Sequence, residues 1–170
     1  MKRNFRLILL LVTFLFGFVG SSFAQVSASS TSSATIIIPI NITKTVDMNF
    51  GNVAVNAVAG TVILAPAGGR TITGGVTLPA VTGTVAAAAF TVTGAPTYTF
   101  SISLPSSPLT ITSGANTMTV TAFTSTPSIT GTLAAGTASL LVGATLNVGI
   151  NQVAGTYTSA TPFSVTVNYN

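Results

Sequence analysis

Tyr98, Phe100, Ile102 and Leu104 alternate with Thr97, Thr99, Ser101 and Ser103, and this repeat of two constrains the fold more than any other feature of the chain. Successive side chains of a β-strand point to opposite faces, so the stretch carries four large apolar groups on one face and four small polar ones on the other. Phe163, Val165, Val167 and Tyr169 repeat the pattern against Ser164, Thr166 and Asn168 at the end of the chain. Near the start, Ile36, Ile38, Ile40 and Ile42 alternate with Ile37, Pro39, Asn41 and Thr43, and the row continues through Val46, Met48 and Phe50 to a stop at Gly51. That stretch predicts one long first strand or two in succession. Pro39 has no N–H to give a ladder and therefore marks an edge or a bulge.

Shorter β-branched runs fill the interval: Thr61 to Leu64, Thr71 to Leu78, Ala89 to Thr93, Leu109 to Thr112, Met118 to Phe123, Ala138 to Val142 and Thr145 to Val148. Ala67-Gly68-Gly69-Arg70 and Ser113-Gly114-Ala115-Asn116 supply Gly where tight hairpins require positive φ. Short strands at such intervals, separated by turn signals, predict an all-β antiparallel sandwich or barrel. A Val/Ile-Thr-Gly phrase recurs at Ile72 to Gly74, Val81 to Gly83, Val92 to Gly94 and Ile129 to Gly131, at spacings without a fixed period. It reads as strand ends entering turns. The irregular spacing argues against a solenoid and against the regular flat Thr array of an ice-binding surface.

The N-terminus reads as an export leader. Lys2, Arg3 and Arg6 form a basic n-region, Leu7 to Val19 is apolar apart from Thr13 and Gly17, and Ser22-Phe23-Ala24 offers small residues at a cleavage site before Gln25. The apolar run falls short of the roughly 20 residues of a membrane-spanning helix. No later stretch qualifies as one, and without Cys there is no lipid anchor. The expected organisation is a leader over 1–24, a flexible Ser-rich extension over 25–33 and one β domain over 34–170.

Removing residues 1–24 from the 170 leaves 146, enough for one domain that buries about two thirds of its surface. It also leaves Lys44, Asp47 and Arg70 as the whole charged complement, a formal +1. Two basic residues cannot build a phosphate-binding face, so nucleic acid is not an expected partner. With no His, Cys or Glu, the chain has neither a carboxylate pair nor a metal-ligand set, and no catalytic, cofactor-binding or metal residues are expected. The Gly68 to Gly75 stretch lacks the Lys-Ser/Thr pair and following helix of a phosphate cradle. Lys44 reads as a solvated strand-face residue and Asp47 as a turn acceptor in reach of Arg70. Asn41-Ile42-Thr43 matches a glycan-acceptor pattern, although Ile42 reads as core. Tyr157, after Gly155, is expected to bond its hydroxyl to backbone at a strand corner.

Ile42-Thr43-Lys44-Thr45-Val46-Asp47-Met48-Asn49-Phe50-Gly51, Thr73-Gly74-Gly75-Val76, Phe90-Thr91-Val92-Thr93-Gly94, Ala154-Gly155-Thr156-Tyr157 and Val165-Thr166-Val167-Asn168-Tyr169 resemble a bacterial family of exported domains of unknown function. More loosely, that family resembles the spore coat protein U group, whose members include pilus subunits assembled by a periplasmic chaperone and an outer-membrane usher. The resemblance implies an immunoglobulin-like β-sandwich, a Gram-negative envelope setting and no enzyme activity. In the pilin analogy an incomplete sandwich is filled by an added strand. The expected assembly strands are then Ile36, Ile38, Ile40 and Ile42 at one end and Phe163, Val165, Val167 and Tyr169 at the other.

Two function classes follow. The first is a fimbrium-like structural or assembly subunit of the cell surface, with self-association or chaperone-type strand pairing as its partner chemistry. The second is a monomeric periplasmic or surface module that binds a glycan or another envelope protein. Both are secreted and non-catalytic.

Overall fold

The computed structural model describes residues 25–170, so the expected leader lies outside the described residues. The chain divides at Thr35 into two units. Residues 25–35 of the first form no helix or strand, and all are exposed. The second unit, Ile36–Asn170, holds all the strands among the described residues. They are β1 (Asn41–Val46), β2 (Asn49–Phe50), β3 (Ala54–Leu64), β4 (Arg70–Thr77), β5 (Val85–Ala86), β6 (Ala88–Thr93), β7 (Thr99–Ser103), β8 (Leu109–Ser113), β9 (Asn116–Thr126), β10 (Thr130–Thr132), β11 (Thr137–Val148) and β12 (Thr166–Tyr169). All their pairings are antiparallel, and the domain is an antiparallel β-sandwich. None of the described residues forms a helix long and apolar enough to cross a membrane.

The first sheet is organised by β11. One side of β11 pairs with β9 over Leu141 to Asn147. The other is shared end to end, with β6 along Thr137 to Val142 and β3 along Ala144 to Val148. Beyond these lie β1 against β6, β4 against β3, and β8 against β9. The second sheet is β10-β7-β12. Between the two sheets lie Ala88 and Val92 of β6, Leu140 and Val142 of β11, Phe100 and Ile102 of β7, Val167 of β12, and Leu133 just after β10. A second cluster follows the other half of β11, where Ala144, Leu146 and Val148 pack with Val62, Val76 and Val120. Phe50, Val53, Val55 and Leu78 close over it, and Met48 and Phe123 touch both clusters.

The strands at Ala138 to Val142 and Thr145 to Val148, expected as separate, are one twelve-residue β11. Gly143 is no turn. It is the place where the end of β3 crosses β11 so closely that a Cβ there would overlap the Leu64 carbonyl oxygen and lie 2.7 Å from the Ala65 carbonyl carbon. Opposite it β9 bulges: Gly143 faces Thr124 but Thr145 faces Thr121, with Ala122 at φ 48°. The Ile72 to Gly74 phrase is likewise mid-strand in β4, where Gly74 faces Gly60, whereas Val92 to Gly94 does end a strand.

Both expected hairpins form. Gly68 (φ 88°) turns β3 into β4, and Gly114 (φ 59°) turns β8 into β9. Register also produces an ordering that the sequence period lacks, because Thr73, Thr61, Asn147, Thr119 and Thr110 line up across five neighbouring strands. The Thr61 and Thr73 hydroxyls bond each other at 2.8 Å, and Asn147 Nδ2 donates to the Thr119 hydroxyl at 3.3 Å. Two neighbouring pairs of the row are thus joined by side-chain hydrogen bonds.

The charged residues pair differently from expectation. Asp47, just after β1, accepts from Lys44 Nζ of β1 at 2.6 Å, on side chains 80% and 55% exposed. Arg70 makes no ion pair with it. Its Nη1 instead donates to the Phe50 carbonyl at 2.6 Å and the Asn52 carbonyl at 3.0 Å, fastening the β2 segment to the start of β4. Charged donors to backbone contribute about 1.5–3 kcal/mol, exposed ion pairs about 0–1 kcal/mol. Arg70→Ala is therefore expected to lower the urea-unfolding free energy by about 2 kcal/mol, and Lys44→Ala by less than about 1 kcal/mol.

Candidate assembly surface

The first and last strands of the domain meet at one edge of the sandwich. Among the described residues β1 ends the first sheet and β12 ends the second, so each carries a ladder on one side only. Of the eight residues singled out in the sequence, Ile40, Ile42, Phe163, Val165 and Tyr169 are half-buried against the first cluster, and Val167 belongs to it. The C-terminal alternation is obeyed throughout: Phe163, Val165, Val167 and Tyr169 point inward, and Ser164, Thr166 and Asn168 are exposed. The ladder covers only the last four of these positions, Thr166–Tyr169, paired with Ser103 to Phe100. Phe163 lies earlier, held by its ring against Phe123 (centroids 5.0 Å apart) and Phe90 (6.4 Å).

The isoleucine row departs from expectation. Ile36–Ile40 belongs to no strand, Ile36 is 98% and Ile38 61% exposed, and Ile37 is half-buried as Ile40 is. Pro39 is the physical reason. With no N–H at that position the ladder begins only at Asn41, opposite Thr93. The parity slips again at the β1 bulge, where Lys44 faces Phe90 and Val46 faces the adjacent Ala89, leaving Val46 exposed.

Tyr169 ties the segment before Pro39 to the domain. Its hydroxyl donates to the Ile38 carbonyl at 2.7 Å and accepts from the Ala95 N–H at 2.6 Å, and its ring packs edge-on against Tyr98 at 5.6 Å. Gly94 makes the room, since a Cβ there would overlap the Tyr169 hydroxyl. Sequence reasoning missed this latch because Gly94 looks like any strand-end glycine and Tyr169 like any core-facing aromatic. Tyr169→Phe strands one donor and one acceptor, so a loss of about 1–3 kcal/mol is expected in urea unfolding. Faster amide exchange at Ala95 should accompany it.

Tyr157 makes its expected backbone bond, donating to the Val153 carbonyl at 2.7 Å while accepting from Gln152 Nε2 at 2.8 Å. Asn41 of the glycan-acceptor pattern is exposed at the start of β1 and Ile42 is half-buried, as read. A separate open groove of about 330 Å³ lies on the sandwich flank, lined by Pro105, Ser106, Ser107, Pro108, Leu109, Phe163 and Ser164. Nothing in the sequence pattern marks it, since its two walls are 54 or more residues apart in the chain.

No curated protein and no solved structure matches the chain. A family model does, from the start of the ordered apolar edge at Ile40 to its end at Tyr169. On that match over residues 40–169, the chain belongs to the family described as Domain of unknown function (DUF4402).

Proposed function

We propose that this protein is an exported, non-catalytic structural subunit of the Gram-negative envelope that acts by associating with other protein chains. The observation that carries the reading is the sandwich edge where, among the described residues, β1 and β12 each keep an unpaired side, next to a segment outside any strand that holds Ile36 and Ile38 in solvent. Unpaired strand edges and exposed large aliphatics are what monomeric domains usually suppress, with charge, Pro or covering loops. Among the described residues near β1, such devices are the Lys44–Asp47 ion pair and Pro39. The leader-like first 24 residues and the looser likeness to chaperone–usher pilus subunits favour the same setting.

The test is in-cell cross-linking of the natively expressed chain, followed by envelope fractionation. The expected result is a ladder of cross-linked species in the outer-membrane or surface fraction, each based on a chain beginning at Gln25. A soluble periplasmic monomer would instead support a binding module.

A further inference from the structure

We propose that Gln25, once the leader is removed, closes on itself to pyroglutamate and seals the front of the exported chain; this rests on cleavage before Gln25, as in the export reading above. Cleavage after Ala24 leaves glutamine, whose side-chain amide carbon lies at the spacing from its own α-nitrogen that forms an unstrained lactam ring. Gln25 is exposed, as is every residue from there to Thr35, and none of them is in a helix or strand. Among the described residues, the side-chain hydrogen bond of this stretch runs from Ser30 Oγ to the Thr31 carbonyl and does not involve Gln25. Ring closure meets no obstacle there.

An exposed α-amine loses its proton at about pH 7.7–8.0, so a neutral fraction is present at neutral pH. That nitrogen attacks Cδ of its own side chain: a C–N bond forms to the α-nitrogen, the Cδ–Nε2 bond breaks, and the amine proton leaves with Nε2 as ammonia. One amide replaces another, and no oxidant, reductant or second reactant is needed. The α-ammonium would otherwise be a third cation beside Lys44 and Arg70, which are engaged by Asp47 and by the Phe50 and Asn52 carbonyls. Closure removes that charge from the segment leading into Ile36–Ile40. Aminopeptidases engage a free α-ammonium, and residues 25–35 have no ladder to stop them, so the lactam protects the extension.

Mass spectrometry of the freshly purified, natively exported chain tests this. The expected mass is that of Gln25 onward less one ammonia, and fragmentation of the tryptic Gln25–Lys44 peptide should place the loss on its first residue. Edman sequencing should read nothing until pyroglutamyl peptidase removes that residue, and then begin at Val26. Gln25→Asn keeps the amide on a side chain too short for the ring. It should begin with a readable Asn, and added aminopeptidase should shorten it while leaving the wild type intact. A wild type of full mass with a readable Gln25, or with the ammonia lost at Asn41, overturns the closure while the cleavage stands. A wild type that begins at another residue overturns both. A closed wild type shortened as fast as Gln25→Asn overturns the protective role.

Discussion

Gly143→Val is expected to destabilise the domain severely. At this position β11 passes from pairing with β6 to pairing with β3, and the departing Leu64-Ala65-Pro66 backbone occupies the space where any side chain would start. The obstacle is main chain on both counts, so no rotamer change relieves it, and separating the strands would expose Val62, Leu64, Val142 and Ala144 together. Overpacking against movable side chains costs about 1–3 kcal/mol, and a fixed backbone puts this change at about 4 kcal/mol or more. That is a large share of a typical stability of about 5–15 kcal/mol. Gly69→Ala is the control, because nothing lies within 4 Å of a Cβ there, and its effect should stay within about 0.5 kcal/mol. Circular dichroism under urea titration reads both.

The second large effect is expected for Phe100→Ala. Phe100 is fully buried on β7, the middle strand of the second sheet, between Gly131 of β10 and Tyr169 of β12 as cross-strand partners. Gly131 has no side chain because the Phe100 ring covers it, a Cβ there falling 2.7 Å from the ring's Cε1. Neither neighbour can collapse into the vacated space. A loss of about 3–5 kcal/mol follows for a buried aromatic truncated in a core that relaxes poorly. Tyr98→Ala, two residues earlier and 43% exposed, should cost clearly less. The difference between the two midpoints measures how burial falls off along the one apolar face of this stretch.

That alternation is legible in the sequence because the second sheet buries one face and wets the other, the condition under which a period of two survives. Phe100/Ile102 and Phe163/Val165/Val167 are placed correctly for this reason. The Ile36 to Phe50 row has the same period without the same burial. Pro39 denies it a ladder at one point and the bulge after Lys44 shifts its parity at another, and neither event alters the apolar pattern itself. Gly143 is opaque for a different reason. A glycine that turns the chain and one that admits a crossing strand look alike until the crossing partner, some 79 residues earlier in the chain, is known. The expected Asp47–Arg70 pair fails because Lys44 is nearer in sequence and the Phe50 and Asn52 carbonyls already engage the guanidinium. The candidate surface was half legible: the inward residues of the last strand were named, whereas the Tyr169 latch and the groove depend on contacts between distant segments.

The central claim is that Ile36–Ile40 is unpaired in the free chain and becomes covered when chains associate. Hydrogen–deuterium exchange of a peptide spanning Ile36 to Ile40, measured on the exported chain at dilutions and concentrations on either side of its association, tests this most directly. The account predicts rapid exchange and an unprotected Ile36 amide in the dilute sample, with protection growing in step with the associated fraction while peptides from β11 do not change. Equal exchange in this segment at both concentrations, in samples shown by sedimentation to differ in association, would contradict it.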